Sequence, residues 1–344
     1  MLNKLTIENF KSIKKQSFDI KSITILTGLN STGKSSVIQS LLLLSSFNSD
    51  SSLLKKNIKN FSNFNDIRNR YINAKNISFS FESENDTSSL SIEQSKSWKI
   101  GIPCDSNILN FEGNLFYISA NRIGQEDIAD YDEDIKFGVN GKYVFGYFEQ
   151  FKDKPVEDAL TVYKEHITLD AQLAHWLEYI LDIKLRVITE IMTAEKVKVT
   201  FDSDGLDKIS PFNLGAGNSY LAKILIMGLS CKKGNILIIE NPEIHLHPKA
   251  QSKLSDFFVL LANAGIQVIL ETHSEHLINK LRYNIYKSEI SKDDAIIYYK
   301  PSIIEEFSTI RINNNGHYVD ENKQEIDFPE GFFDSTLSEL LEIM

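Results

Sequence analysis

The chain has 344 residues, of which 42% are apolar and 24% are charged, and its formal net charge at pH 7 is −10. These proportions are ordinary for a water-soluble globular protein, and the length allows two modest domains or one large domain with insertions. No apolar run approaches the ~20 residues that span a bilayer, and the opening residues lack the apolar centre of a signal peptide. We therefore expect a cytoplasmic protein with no membrane partner.

The negative charge is concentrated at the end of the chain. From Asp320 onward, eight acidic residues accompany a single base, Lys323. The acidic total therefore neither excludes nor indicates a basic surface for DNA elsewhere. The acidic stretch either docks a partner protein or faces water, as charged runs commonly do.

The first 120 residues alternate apolar and polar side chains as β-strands do, and one helix interrupts them. The predicted strands cover residues 2–8, 17–26, 77–81, 90–92, 98–102 and 115–119. We predict a turn over residues 9–15, a helix over residues 34–46, and a loop rich in Ser, Asn and Lys over residues 47–65.

The remainder of the chain alternates helices with strands. Residues 124–137 are acidic and flanked by glycine, which predicts a loop. Residues 170–183 form an amphipathic helix that Asp170 can cap. Further helices are predicted at residues 217–231, 248–263 and 275–285, and further strands at 184–191, 196–201, 235–239, 266–270, 295–299 and 307–312.

The most informative stretch runs from Gly28 to Ser35 and has the pattern Gly-x-x-x-x-Gly-Lys-Ser between an apolar strand and a helix. Glycines let backbone N–H groups turn around a phosphate, and the new helix adds free N–H donors and the positive end of its dipole. Lys34 would reach the β- and γ-phosphates of ATP, and the Ser35 hydroxyl would ligate Mg²⁺. The alternative is a glycine-rich turn that arose by chance. The candidate nucleotide contacts are Gly28, Asn30, Ser31, Thr32, Gly33, Lys34, Ser35 and Ser36.

Two later strands each end in polar residues. The strand at 235–239 ends at Glu240, and the strand at 266–270 is followed by Glu271, Thr272 and His273. Ligands bind at this edge of an open α/β sheet, so Glu240 could organise Mg²⁺ and His273 could contact the γ-phosphate. The alternatives are a buried strand that happens to end in Glu and a structural histidine.

Two weaker signals lie nearby. Gly215 and Gly217 precede or open a helix, and glycines there can form an anion cradle, although helices often begin with glycine. The turn holding Glu243, His245 and His247 also allows a metal site, which we disfavour because no further ligand cluster stands out.

The order of these motifs resembles that of ABC-type ATPase heads, a group that includes the SMC, recombination-mediator and overcoming-lysogenization-defect families. Gly28–Ser35 resembles Walker A, and 214–219 resembles the signature loop. Residues 236–248 resemble Walker B with the D-loop, and 272–274 resemble the H-switch. The resemblance implies an α/β fold: a two-lobed ABC-ATPase head with a phosphate-loop core, a mixed sheet, an antiparallel β lobe and a small helical insertion.

The resemblance also implies roles for single residues. Lys34 and Ser35 would bind phosphate and Mg²⁺, Glu240 would organise Mg²⁺, and His273 would sense the γ-phosphate. The signature residues Gly215, Gly217 and Ser219 would contact the nucleotide of a second subunit, with either Gly215 or Ser219 touching the phosphate.

Two parts of the family pattern are altered or unplaced. Asn241 stands where most ABC ATPases carry the catalytic Glu, and an amide cannot act as a general base. Glu243 or Glu271 would have to substitute, or hydrolysis is slow. Candidates for the Q-loop are Asn121, Arg122 and Gln125.

The spacing of the motifs limits the architecture. The gap between Ser35 and Gly215 carries no heptads for a coiled coil. Cys104 and Cys231 form no Cys-x-x-Cys motif for a zinc hook, and we expect buried free thiols. We expect no nuclease domain after His273, because few residues follow it. The predicted divisions are 1–124, 125–200, 201–300 and 301–344.

The sequence therefore predicts an ATP-binding and hydrolysing protein that dimerises head-to-tail around ATP. The run IIENPEIHLHPKAQ resembles small bacterial ATPases, many of which accompany effectors in Septu-like and retron-associated anti-phage systems. This resemblance implies regulation or scaffolding of a separate nuclease or toxin. The alternatives are a DNA-repair ATPase acting on DNA ends and a non-hydrolysing, ATP-dependent scaffold.

Overall fold

A computed structural model describes residues 1–48, 63–83, 87–94 and 109–329 of the chain. The strands are β1 (Leu2–Phe10), β2 (Ile13–Asp19), β3 (Ile23–Gly28), β4 (Asn76–Ser83), β5 (Thr87–Glu93), β6 (Leu115–Ile118), β7 (Ile128–Asp130), β8 (Leu185–Thr193), β9 (Lys196–Ser203), β10 (Leu206–Ile209), β11 (Ile236–Glu240), β12 (Gln267–Glu271), β13 (Ala295–Lys300), β14 (Ser308–Ile312) and β15 (Tyr318–Val319). The helices are α1 (Lys34–Asn48), α2 (Phe64–Ile67), α3 (Val144–Phe151), α4 (Leu169–Leu181), α5 (Ala216–Leu229), α6 (Pro248–Asn263) and α7 (Glu275–Tyr286). The chain divides into two compact units, one made of Met1–Asn114 with Arg282–Met344 and the other of Leu115–Leu281.

The first unit contains an antiparallel sheet with the strand order β2-β1-β4-β5. Alternate residues of β1, such as Leu5 and Ile7, are fully buried, as expected for a sheet with one face on a core. Phe10 of β1 packs edge-to-face against Phe79 of β4, with ring centroids 5.2 Å apart.

The phosphate-loop motif lies in the same unit. Strand β3 is buried along its whole length and pairs in parallel with β13, and β14 continues the sheet in the antiparallel direction. A strand buried on both faces is mostly apolar, as the residues Ile23, Ile25 and Leu26 of β3 show. The phosphate loop follows β3 and leads into α1.

The second unit contains the parallel strands β12, β11 and β6, in that order. A separate antiparallel sheet is built on the β8–β9 hairpin, with β7 and β10 also paired to β9. Helix α4 packs on the core through Trp176, whose ring meets Phe257 of α6 edge-to-face at 5.0 Å. These layers place the ends of β6 and β11, and the start of α5, within one unit.

Several local predictions are wrong. The turn predicted over residues 9–15 is confined to Lys11 and Ser12, because β1 and β2 pair as far as Phe10 and Ile13. The strand predicted at 17–26 is two strands, β2 and β3, with a break at residues 20–22. Strand β7 lies inside the predicted loop at 124–137, and neither β10 nor β15 was predicted.

The cap of helix α4 also differs from the prediction. Thr168, rather than Asp170, is the N-cap, and its side chain accepts a hydrogen bond from the Ala171 N–H. Asp170 lies in the first turn, where it pairs with Arg186 of β8. Thr is a good N-cap because its hydroxyl satisfies an N–H that has no partner within the helix.

The other predicted helices and strands are confirmed to within a few residues wherever the structure describes them. The strand predicted at 98–102, most of the loop predicted at 47–65, and the acidic stretch beyond residue 329 lie outside the described residues. The four predicted divisions of the chain remain a prediction. None of the helices in the described ranges combines the length and apolar character needed to cross a bilayer.

Candidate functional site

The phosphate loop begins at Gly28, whose backbone has φ +128°. Only glycine adopts this conformation without strain, and a Cβ at this position would clash with the carbonyl oxygen of Lys300. The next residue, Leu29, donates its N–H to the same carbonyl at 3.2 Å. Strand β13 therefore holds the start of the loop, and the glycine is required by close backbone packing.

The second glycine, Gly33, has φ +108° and packs against the Ser12 side chain. Its carbonyl accepts the Ser36 N–H at 3.0 Å, which starts the turn into α1. The Thr32 hydroxyl donates to the carbonyl of Leu29 at 2.9 Å, a hydrogen bond within the loop. Asn30 and Ser31 are exposed at its tip, and Ser35 is half-buried in the first turn of α1.

Lys34 is folded into the loop that precedes it. Lys34 is only 3% exposed, and its ammonium donates to the carbonyls of Gly28 at 3.1 Å and Leu29 at 2.7 Å. A positive charge is thus held against the loop, where an anionic phosphate would meet it. Ammonium–phosphate contacts are stronger than ammonium–carbonyl contacts because both groups are charged.

A cavity of about 300 Å³ opens beside this loop within the same unit. Its lining combines loop residues with cationic, hydroxyl and aromatic side chains: Lys11, Ser12, Ser31, Gly33, Ser36, Asp66, Arg68, Arg70, Tyr71 and Ile303. Burial lowers the pKa of Lys11, and the nearby Asp66 carboxylate opposes that shift. Tyr71 is 65% exposed and is available as a stacking surface.

Two buried polar atoms of this lining have no hydrogen-bond partner among the residues that the structure describes, namely Ser12 Oγ and Arg68 Nε. Buried polar groups are nearly always satisfied, so such atoms indicate a missing ligand or water. Sequence reasoning missed the lining residues after α2. They lie more than thirty positions beyond the motif and have no pattern of their own, so only the fold brings them to the loop.

In the second unit, Glu240 ends β11. Its carboxylate accepts the Ala120 N–H at 2.9 Å, and burial together with Glu240 raises the pKa of Tyr117, which hydrogen-bonds to it. The neighbouring strand β12 places Glu271 directly opposite Glu240 in the register. Glu240 and Glu271 therefore lie side by side where the two parallel strands end, at the same edge of the sheet.

The turn after β11 is tied to the end of β12 by Glu243. One of its oxygens accepts the Thr272 hydroxyl at 2.8 Å, and the other accepts the His273 N–H at 2.8 Å. Asn241 has φ +47° and donates its N–H to the carbonyl of Glu271 at 2.7 Å. The His273 side chain is exposed. Glu243 is thus held as an anchor between the two strand ends.

The glycines at the start of α5 have different surroundings. Gly215 is the exposed N-cap residue, and a Cβ there would meet nothing within 4 Å. Gly217 is buried, and a Cβ there would clash with the carbonyl oxygen of His245. Ser219 is only 1% exposed. An incoming group could therefore reach Gly215 directly, whereas Gly217 and Ser219 lie within the packing.

The candidates for the Q-loop lie in the segment after β6. The Arg122 guanidinium donates to the carbonyls of Glu240 at 2.7 Å and Asn241 at 2.8 Å. The Gln125 amide donates to the carbonyls of Pro211, at 3.0 Å, and Leu214. Both side chains therefore bind backbone oxygens at motif positions.

The alternative metal site in the turn after β11 lacks support. His247 caps α6 by accepting the Lys249 N–H, and the His245 ring stacks on Tyr220 with centroids 5.4 Å apart. No group of three or more His, Cys, Asp and Glu suited to a metal occurs in the described part of the chain.

Comparison with known proteins bears on the same elements. The family model described as "AAA domain, putative AbiEii toxin, Type IV TA system" matches residues 23–279. The Old nuclease of Escherichia phage P2 is 41% identical over 61 residues, which are 17% of this chain and 10% of that protein. The energy-coupling factor transporter ATP-binding protein EcfA2 of Streptococcus pyogenes serotype M5 (strain Manfredo) is 25% identical over 115 residues, 33% of this chain and 40% of the relative. The chain thus spans less than half the length of either relative.

Solved structures of Smc heads share the fold. A Smc head with an extended coiled coil, bound to the C-terminal domain of ScpA from Pyrococcus furiosus, aligns with a TM-score of 0.56 at 10% identity and covers 99% of both chains. A Smc head bound to the C-winged helix domain of ScpA aligns with a TM-score of 0.55 at 12% identity, over 91% of this chain and 98% of that one. The α/β ABC-ATPase head fold expected from the sequence is confirmed.

Proposed function

We propose that this chain, which belongs to the family described as "AAA domain, putative AbiEii toxin, Type IV TA system", binds and hydrolyses ATP and uses it to control a separate effector. The observation that carries nucleotide binding is the loop from Gly28 to Ser36 with its adjoining cavity. The loop holds a buried ammonium, and the cavity has unsatisfied polar atoms.

The two features divide the nucleotide between them. Lys34 exchanges its carbonyl partners for the β- and γ-phosphates, and the backbone N–H groups at the start of α1 bind the same phosphates. Ser12, Arg68 and Arg70 bind ribose and phosphate oxygens of the nucleotide, and the Tyr71 ring stacks on the base. Hydroxyl and guanidinium donors suit ribose and phosphate oxygens.

Mg²⁺ fits the donor chemistry of this chain. The Ser35 hydroxyl and the Glu240 carboxylate are hard oxygen ligands, the type that Mg²⁺ prefers, and we assign both to it. When bound, the ion neutralises phosphate charge. His273, exposed at the end of β12, takes the γ-phosphate contact.

A second subunit completes the site in this proposal. Gly215, whose surroundings are open, approaches the nucleotide of the partner from the N-terminus of α5, where N–H groups and the helix dipole favour an anion. ATP then stabilises the dimer by mass action. The similarity to a phage nuclease supports a role beside an effector such as a nuclease or toxin.

A second candidate function is a slowly hydrolysing or non-hydrolysing clamp. Asn241 cannot act as a general base, and both oxygens of Glu243 already accept hydrogen bonds. Glu271 remains the other candidate base. Turnover that survives in Glu243→Gln but disappears in Glu271→Gln would assign the base to Glu271.

The test of nucleotide binding is a fluorescence titration with mant-ATP and Mg²⁺. Charge-assisted hydrogen bonds contribute about 1.5–3 kcal/mol, so Lys34→Ala should weaken binding by about 10–100-fold. Arg68→Gln should weaken it less. The control is Lys15→Ala, which removes an equal charge from a side chain 67% exposed on β2.

Phosphate release and light scattering complete the test. The proposal expects ATP-dependent dimer formation by the wild-type protein and its loss in Lys34→Ala. Equal mant-ATP affinity of Lys34→Ala and wild-type protein would refute the assignment of the loop.

A further inference from the structure

The segment from Ala120 to Glu126, which leaves β6, makes hydrogen bonds to two motifs of the same unit. At its start, the Ala120 N–H donates to the Glu240 carboxylate at 2.9 Å. Arg122 then spans two successive carbonyls, those of Glu240 and Asn241. A guanidinium is a rigid planar fork, so it fixes the relative position of two acceptors in a way that a lysine ammonium does not.

Arg122 also contacts helix α5, which begins within the signature loop. Its guanidinium lies 4.9 Å from the centroid of the Tyr220 ring, in the second turn of α5. Tyr220 in turn stacks on His245, with an interplanar angle of 17°. The carbonyl of His245 packs against Gly217 so closely that no Cβ fits. A continuous series of packed groups therefore joins the end of β11 to the start of α5.

The end of the segment is tied to the same helix. Gln125 holds the carbonyl of Leu214, the residue directly before Gly215. The Lys223 ammonium, from the third turn of α5, donates to the carbonyl of Ile123 at 3.0 Å. The segment therefore fixes both the metal-binding strand end and the residues that lead into the exposed N-terminus of α5.

We propose that Arg122 is a positioning residue for ATP turnover: it holds the Glu240–Asn241 backbone in a fixed relation to α5 through the Tyr220 ring. The inference rests on the proposed function. Arg122 is only 4% exposed and belongs to a different unit from the phosphate loop. Because Arg122 binds the backbone beside Glu240 rather than Lys34 or the phosphate loop, its loss should impair turnover and leave nucleotide affinity nearly unchanged.

The test compares Arg122→Lys with wild-type protein in steady-state hydrolysis and in mant-ATP binding. Lysine keeps the charge and loses the fork, and displacements of about 1 Å at a catalytic group can cost up to about 100-fold in rate. We expect kcat to fall about tenfold or more, while KM and the mant-ATP Kd stay within about threefold. Tyr220→Leu, which keeps an apolar side chain and removes the ring, should lower kcat in the same direction.

A matched control comes from the other unit. Arg282 lies 4.2 Å from the centroid of the Tyr318 ring and donates to the carbonyl of Gly316 at 2.7 Å. Arg282→Lys makes the same chemical change and should leave kcat unchanged. Values of kcat are normalised to the nucleotide-binding stoichiometry of each variant, so misfolded protein does not count as lost turnover.

The outcomes separate the inference from the proposed function. Wild-type turnover with an equal normalised kcat in Arg122→Lys would overturn the inference alone. Wild-type protein that binds mant-ATP without hydrolysing it would overturn hydrolysis, and dimer formation then decides the inference. In that case Arg122→Lys should need about tenfold more ATP to dimerise, and an unchanged requirement would overturn it. If Arg122→Lys does not fold, Tyr220→Leu carries the same comparisons.

Discussion

Replacing Glu126 with Gln should destabilise the Leu115–Leu281 unit by about 3 kcal/mol at pH 8. The Lys223 side chain is fully shielded from solvent, and Glu126, which is 13% exposed, is the carboxylate that pairs with it. Removing one partner of a buried ion pair leaves an uncompensated charge and costs about 3–5 kcal/mol. The amide of Gln keeps the shape of the side chain and removes only its charge.

The magnitude is limited because Lys223 can release its proton. The ordinary lysine pKa is 10.5, and burial already lowers the pKa of Lys223. Deprotonating a lysine at pH 8 costs about 1.4 kcal/mol for each of the 2.5 pH units below that value, or about 3.5 kcal/mol. The variant cannot lose much more than this, because the neutral amine becomes the cheaper form in the folded state.

The same reasoning gives the direction of the pH dependence. Glu126 raises the pKa of Lys223, so without it the folded-state pKa of Lys223 falls further below its unfolded value, and stability rises more steeply with pH in the variant than in wild-type protein. The deficit relative to wild-type protein should therefore shrink between pH 8 and pH 9.

The assay is urea unfolding followed by the fluorescence of Trp176, which is buried in this unit. All proteins carry Trp98→Phe so that Trp176 is the sole tryptophan. The control is Glu190→Gln, which breaks an exposed ion pair with Lys208, with side chains 51% and 61% exposed, and should not move the urea midpoint. A deficit that is absent at pH 8, or that grows toward pH 9, would refute the reasoning.

Two smaller predictions follow from α4 and from the end of α5. Thr168→Ala should lower the free energy of unfolding by about 1 kcal/mol, measured by urea unfolding, because an N-cap hydroxyl is lost; an unchanged midpoint would contradict the cap. Burial raises the pKa of Cys231 to about 12, so at pH 8 only about one thiol in 10⁴ is the reactive thiolate. In a Cys104→Ser variant, a disulfide-exchange reagent should therefore label no thiol in native protein and one in urea, whereas rapid native labelling would contradict this burial.

The parts of the fold that could be predicted are those marked by a pattern of apolar residues close together in sequence. Helix α6 has a periodic apolar pattern that begins at Pro248, and strand β11 has a continuous apolar run that ends at Glu240. The predicted bounds of both elements agree with the structure to within one residue. The turn between β1 and β2 was predicted, but its bounds were too wide, because Asn9 and Lys11 reach the tight turn with positive φ and no glycine. Asparagine is enriched at positive φ but lysine is not, so the pair gives no consistent signal of that conformation.

The candidate site divides in the same way. The phosphate loop was predicted because its whole signal, a glycine pattern between a strand and a helix, lies in contiguous residues. Arg68 and Arg70 were not predicted, since they reach the loop only through the pairing of strands far apart in sequence. Gln125 was a candidate for the Q-loop, but its actual partner, the carbonyl of Leu214, lies 89 positions away.

The two glycines of the signature region explain why pattern alone could not assign their roles. Gly215 and Gly217 look alike in sequence, and each suggests a place where backbone meets an anion. In the fold, Gly215 opens onto space, whereas Gly217 is required because the carbonyl of His245 occupies the place of a Cβ. A glycine that permits contact with a ligand and a glycine that permits contact with the chain itself obey the same steric rule. They are distinguished only by what lies opposite, and for Gly217 that neighbour belongs to the turn after β11.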